Sequence, residues 1–456
     1  MTANVFSLYV SLCAPLFLVA GTATAQDWPH WRGPNYNGST TAENLPLKFT
    51  RTKHVKWATD LMGPGASTPI VVGKRIFLTS VDTKRDRLVA LCVNREDGEI
   101  MWKSDAGSGY GAASGRRTGG RRATFASPSA TTDGETVVFF FGNGDLVGYD
   151  MEGKKLWSRN IQKDYGNFAF NWTFAASPTI WEGKVFLPVL QRDVPAGRRR
   201  RGAEVTPDKI DSFILAADPK TGKTIYKHVR PSPAKVESLE SYTTTIPYIA
   251  KDGQKQLLLV GGDVLTGHDP ATGEELWRWG TWNPNHREKY WRLVPSVVVG
   301  GGVAVVCAPK RAPVFAVQLG GKGEIDQEEG LAWKSKGRPN PVSSDVPTPA
   351  FDGKHFFVLS DVQNAISKVN PKDGEVAWTT KLSRDFKWRS SPTVADGKVY
   401  CMNHNGEVVV VDAESGKKLH HAFMGSEDDD QIRGSVVVAH NNLFIRTNDK
   451  LYCIGQ

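Results

Sequence analysis

Two arginine clusters and four tryptophans are the side chains of this sequence best suited to hold a partner. Arg116, Arg117, Arg121 and Arg122 sit in a Gly/Ser-rich stretch, and Arg198, Arg199, Arg200 and Arg201 form an unbroken run. The planar guanidinium fork matches carboxylates, phosphates and sulfates, and an indole face offers large contact area. Trp172, Trp282, Trp291 and Trp388 fall in other long connecting segments. A surface that gathers such loops is a binding face; Arg runs flanked by glycine are equally consistent with solvated loop tips. The acidic run Glu427-Asp428-Asp429-Asp430 reads as a solvated loop.

Residues arranged for catalysis are harder to find. The 10 histidines are scattered apart from His420-His421, and no pair has the spacing that puts two ligands on one helical face. His30 and His404 read as structural. Gly300-Gly301-Gly302 falls at a strand-strand turn, where a phosphate loop is not expected. Of the 5 cysteines, Cys92, Cys307, Cys401 and Cys453 lie on expected strands, with no CxxC and no adjacent pair. They read as buried small hydrophobes, with a Cys401–Cys453 bridge as the open alternative. The expectation is no catalytic residue, no cofactor and no metal ligand.

The elements that must position the loops come from a repeat. Short β-type runs ending in Gly-x-x-x-Trp, or a relic of it, recur with terminal aromatics at Trp57, Trp102, Trp157, Tyr226, Trp277, Trp333 and Trp378, and His420 in the last copy. Their spacing, roughly 40 to 70 residues, is one four-stranded blade plus variable loops. Units open on Ser/Thr-Pro or a relic, as in Thr68-Pro69, Ser177-Pro178, Thr348-Pro349 and Ser391-Pro392. Proline is tolerated at a strand's first residue, where no ladder donor is needed. Asp-Gly turns such as Asp396-Gly397 follow between apolar runs. After Arg433 only three strands remain, and His54-Val55-Lys56-Trp57 supplies the missing fourth. The fold class is therefore all-β: an eight-bladed β-propeller of four-stranded antiparallel blades, its last blade closed by the N-terminal strand. Blade connections and second-to-third-strand loops open on one face, so both Arg clusters and the four Trp residues are expected on one rim.

The A-x-D-x-x-x-G-x-x-x-W pattern resembles the PQQ-like repeat of quinoprotein-type propellers, a family that includes the propeller subunit of the outer-membrane β-barrel assembly machinery and related exported bacterial propellers. The resemblance runs from Trp57 to the C-terminus and implies that each aromatic docks one blade on the next. Trp277, at the best-preserved repeat, is expected between blades. The stretch from Gly320 to Leu331 departs from the pattern and reads as having lost its turn. Trp28-Pro-His-Trp-Arg-Gly-Pro34 resembles the mature N-terminus of secreted members. The resemblance also implies what a pyrroloquinoline quinone enzyme of this fold carries: a Trp and an adjacent-cysteine disulfide around the cofactor, Ca²⁺ on Glu, Asn and Asp, and a catalytic Asp. No adjacent cysteines occur here.

The apolar Val5–Ala20 run, too short for a membrane span, leads to Ala23-Thr24-Ala25. Residues 1–25 thus read as a signal peptide, 26–53 as an N-terminal extension and 54–456 as the propeller, in a protein secreted to the periplasm or beyond. Net charge is a modest +9, and nucleic acid is not an expected partner. The function expected is a non-catalytic binding scaffold for an envelope or secreted protein or an extended polypeptide. A binder of polyanion or acidic polysaccharide is the alternative, and a PQQ-dependent oxidoreductase ranks behind both.

Overall fold

The computed structural model describes residues 27–109, 124–193, 210–280, 282–337, 340–427, 429 and 431–456. Eight antiparallel sheets form the ring, each four-stranded except one that gains a fifth strand. Blades 1 to 7 occupy residues 70–108, 131–160, 179–229, 246–279, 298–334, 350–381 and 393–423. Blade 8 is built from both chain ends: residues 437–454 supply three strands and Val55–Asp60 the fourth. Val55 pairs with Ile454, Trp57 with Cys453 and Asp60 with Lys450. This closure leaves the ring without an unpaired junction between first and last blades.

Blades dock through the repeat aromatics. Trp102 Nε1 donates to Met151 O of the next blade (3.1 Å), Trp157 to Pro219 O (2.7 Å), and Trp333 to Pro371 O (2.8 Å). Trp57 donates to Arg95 O (3.0 Å), and the Tyr226 hydroxyl to Pro270 O (3.3 Å). Each ring covers the glycine of the neighbour's turn. A Cβ on Gly98 (φ +80°) would come within 2.6 Å of the Trp57 ring, and one on Gly374 (φ +76°) within 2.6 Å of Trp333. Glycine is thus required twice there, for the positive φ and for the close approach.

Blade 4 departs from the expectation. Trp277 is buried, but its Nε1 donates to Gln256 Oε1 of its own blade (2.9 Å). Trp279, two residues on and on the same face of the strand, reaches the neighbour: it donates to Gln327 O (3.2 Å) and lies over Gly330. The turn expected to be lost is present. Gly330 N donates to Asp326 O (2.9 Å), and Asp326 Oδ1 accepts from Glu328 N and Glu329 N. An inserted strand, Gly323–Ile325, runs parallel to blade 4's outer strand and carries the turn outward, so the docking position moves along by one side-chain repeat.

Blade 7 is a second exception, with a topological cause. Blade 8's third and fourth strands come from opposite ends of the chain, so no turn joins them for His420 to cover. Phe49 takes its place: its N and O both meet His420 Nε2 (3.1 and 2.7 Å), and its ring packs edge-on to the imidazole. The four cysteines among the described residues are free and buried, so Cys401 and Cys453 do not pair.

Trp279→Ala should lower stability by about 3–5 kcal/mol, as for other large aromatic truncations in cores. Trp172→Ala, at a side chain 45% exposed, should change it by less than about 0.5 kcal/mol. Urea melts of the two variants check this, and equal effects would remove the docking role from Trp279.

Candidate functional site

The innermost strands are short, and their starts converge on the propeller axis. At the starts of blades 1 to 7 a Ser or Thr hydroxyl accepts a backbone N–H of the preceding blade. Thr68 N donates to Ser129 Oγ (2.9 Å), Ser129 N to Ser177 Oγ (3.0 Å), and Ser177 N to Thr244 Oγ1 (3.1 Å). Thr244 N continues to Ser296 Oγ (2.9 Å), Ser296 N to Thr348 Oγ1 (3.0 Å), and Thr348 N to Ser391 Oγ (3.0 Å). Ser435 N closes the belt on Thr68 Oγ1 (3.0 Å). Thr393 Oγ1 ties blade 7 to blade 8 at Val436 O (2.6 Å). At Thr68, Ser177, Thr348 and Ser391 the Ser/Thr-Pro pair thus does more than start a strand: its hydroxyl satisfies a buried backbone donor that the ring geometry leaves without a ladder partner.

Above this belt lies an axial pocket of about 640 Å³, lined by residues from every blade connection. The charged side chains among its described lining are all cationic: Arg292, Lys387, Arg389 and Arg433. Trp31 and Trp172 add aromatic faces, Tyr242 a phenol and His404 an imidazole. His404 is buried on the loop between the second and third strands of blade 7. Its backbone is fixed to both flanking connections, since His404 N donates to Lys387 O and Ile432 N to His404 O (both 2.9 Å).

Carboxylates stand behind the wall and aim the cations. Arg292 Nη2 meets Asp345 Oδ2 (3.3 Å) and Arg389 Nε meets Asp361 Oδ2 (3.4 Å), while Asp345 N donates to Asp361 Oδ1 (2.9 Å). Burial pushes the Asp361 carboxyl above its ordinary range. On the other side, fully buried Glu240 accepts from the Tyr242 hydroxyl (2.7 Å), from Asn171 N (3.0 Å) and from Arg192 Nε. Burial raises the Glu240 carboxyl despite these donors, and burial, then the Glu240 charge, holds the Tyr242 phenol well above its usual value. Tyr242 therefore stays protonated and presents a fixed wall.

The far end of the channel is crossed by the N-terminal segment. Trp28 exchanges backbone hydrogen bonds with Val71 in blade 1 (2.7 and 2.8 Å), His30 Nδ1 meets Thr131 Oγ1 in blade 2 (3.2 Å), and the Tyr36 hydroxyl donates to Ile180 O in blade 3 (3.3 Å). Arg32 Nη2 donates to Pro349 O in blade 6 (2.8 Å), and Val394 N in blade 7 to Gly38 O (2.9 Å). One short segment thus contacts five blades at their inner strands and brings Trp31 to the pocket.

Several expectations change here. Trp388 is wholly buried in the blade 6–blade 7 core, with its Nε1 donating to Ser383 O (2.9 Å), so it offers nothing to a partner; its neighbours Lys387 and Arg389 do. Trp282 is core as well, and Trp291 packs against the same cluster at half burial. Trp172 alone of the four reaches the pocket. Arg116, Arg117, Arg121, Arg122 and Arg198 to Arg201 lie outside the described residues, as do residues 1–26. In the acidic run, Asp429 is a buried structural acceptor for Ser426 N (2.9 Å) and Asn448 N (3.1 Å). His404, read as structural, is a pocket residue.

The family model described as outer membrane protein assembly factor BamB matches residues 48–210 and 320–454. The chain belongs to this PQQ-like propeller family. Among curated proteins it is similar to a polyvinylalcohol dehydrogenase of a Pseudomonas species, 23% identical over 377 residues, covering 76% of this chain and 49% of that protein. The chain thus spans about half the length of this relative. Among solved structures, a europium-containing methanol dehydrogenase aligns over 92% of this chain and 89% of its own (TM-score 0.65, 11% identity). A quinohemoprotein alcohol dehydrogenase from Comamonas testosteroni aligns over 96% and 82% (TM-score 0.65, 12% identity). BamB from Moraxella catarrhalis aligns over 88% and 97% (TM-score 0.56, 14% identity). The structural likenesses show the fold. The dehydrogenase relative, with a pocket of small-molecule size on the axis, overturns the expectation of a non-catalytic scaffold. No helix among the described residues is long and apolar enough to cross a membrane.

Tyr242→Phe should destabilise the fold by about 1–3 kcal/mol, because buried Glu240 loses its hydroxyl donor and Trp172 N its acceptor. Chemical denaturation measures this, and an unchanged midpoint would show the Glu240 cluster to be hydrated instead.

Proposed function

We propose that the chain is a quinoprotein-type dehydrogenase that oxidises an alcohol, with the axial pocket as its cofactor and substrate site. The observation that carries the reading is the match to a relative named as a dehydrogenase across 76% of this chain. The pocket supports it independently. Its volume of about 640 Å³ suits a cofactor-sized molecule. Its donor set fits the organic part of pyrroloquinoline quinone, a planar tricarboxylate. Arg292, Arg389, Arg433 and Lys387 would hold the carboxylates, the arginines by paired N–H donors. Trp31 and Trp172 would lie against the ring system, and the belt hydroxyls would accept or donate at its edge.

Bound there, the quinone supplies an acceptor for the electron pair that an alcohol C–H bond gives up as the carbon becomes a carbonyl. His404 would take the hydroxyl proton on an imidazole nitrogen, the other titratable groups of the described lining being arginines, a lysine and the buried Tyr242 phenol. Residues 1–25 would be removed on export to the periplasm or beyond, leaving 26–53 as the channel-crossing segment with the Phe49 dock and 54–456 as the propeller.

The test is reconstitution of the mature protein with pyrroloquinoline quinone and metal salts, followed by dye reduction with primary, secondary and polymeric alcohols. Turnover is expected with at least one class, and His404→Gln should lower kcat by about 10²- to 10⁴-fold. Dye reduction no faster than the protein-free control would contradict the reading. Full activity in His404→Gln would take the proton-accepting role from His404.

A further inference from the structure

The family resemblance carries a metal ion beside the quinone, and the pocket does not supply one with ligands. Among the described residues no Asp, Glu or Cys lines it. Among the described residues no three His, Cys, Asp or Glu side chains are grouped to hold a metal ion. A hard cation such as Ca²⁺ takes six to eight oxygen ligands, several of them carboxylates. The described carboxylates bonded to lining residues are already engaged: Asp345 with Arg292, Asp361 with Arg389, Glu237 with Trp172 Nε1, and Glu240 with Tyr242, Asn171 and Arg192. A divalent ion would also meet the like charges of Arg292, Lys387, Arg389 and Arg433 across a pocket only partly open to solvent.

We propose that these four side chains replace the metal: the site binds its carboxylate-bearing ligand without a metal ion, the guanidinium and ammonium groups neutralising the charge that the ion would otherwise neutralise. The inference rests on the quinone reading and deepens it. Asp345 and Asp361 have a definite part in this arrangement. Each holds one guanidinium from behind, so that arginine enters the pocket already ordered and loses less side-chain freedom on binding.

The proposal is tested by titrating the mature full-length chain with pyrroloquinoline quinone and following the quenching of intrinsic tryptophan fluorescence, in three arms: EDTA, Ca²⁺ and La³⁺. The expected result is saturable binding in EDTA with a Kd within about twofold of the metal-containing arms. Arg389→Gln and Lys387→Gln should each weaken binding by about tenfold or more, as for loss of a charge-assisted hydrogen bond. Lys387 is exposed, so its variant folds even if an Arg389 variant does not. Added salt should weaken binding in every arm. Binding that requires Ca²⁺ or La³⁺ and vanishes in EDTA overturns the inference and leaves the quinone reading standing. Absence of binding in all three arms overturns the quinone reading and the inference with it. Unchanged affinity in Lys387→Gln and Arg389→Gln would show that the cations do not hold the ligand.

Discussion

A propeller has a difficulty at its axis that no single blade can solve. The innermost strands end close together, and their first backbone N–H groups point toward the neighbouring blade and away from their own sheet, so they need partners from another blade or water. Here the partner is a hydroxyl. Thr68, Ser129, Ser177, Thr244, Ser296, Thr348 and Ser391 each accept from the blade before, and Ser435 hands the chain of bonds back to Thr68. Each bond contributes only about 0.5–1.5 kcal/mol net. Their arrangement matters more than their sum, because the belt fixes where every blade connection leaves the axis. The pocket residues sit within a few positions of it: Arg292 before Ser296, Arg389 before Ser391, Arg433 before Ser435.

This explains what the sequence disclosed and what it concealed. Blade count, closure by the two chain ends and the docking of Trp57, Trp102, Trp157, Tyr226 and Trp333 follow from a local pattern repeated many times. The pattern misled where an insertion displaced it. Gly323–Ile325 adds a strand, the turn at Asp326–Gly330 shortens its distance to Trp333 by one residue, and the docking ring becomes Trp279. Likewise Phe49 meets His420 only because the chain ends meet in blade 8, which no local motif announces.

The site was nearly illegible for a related reason. Trp31, Tyr242, Arg292, Arg389, His404 and Arg433 come singly from different connections, and only ring closure brings them together. Consecutive arginines catch the eye in a sequence; isolated ones do not. The available signal is a basic residue two to four positions before the belt hydroxyl, as with Arg292 before Ser296, Arg389 before Ser391 and Arg433 before Ser435. Trp388 shows the converse: its neighbours face the pocket, and the indole, on the opposite side of the extended chain, fills the core.

Charge is what turns this arrangement into a functional account. Four cations on the pocket wall, two of them ordered by buried acids behind it, create a site where a multiply charged organic anion is stabilised and a bare metal ion is not. The most direct measurement is a crystal structure of the mature protein grown with pyrroloquinoline quinone in EDTA. Density for the quinone is expected on the propeller axis, against Trp31 or Trp172, with its carboxylates within hydrogen-bonding distance of Arg292, Arg389, Arg433 or Lys387. A cofactor bound elsewhere, or held on the axis through a metal ion that survives EDTA, would contradict it.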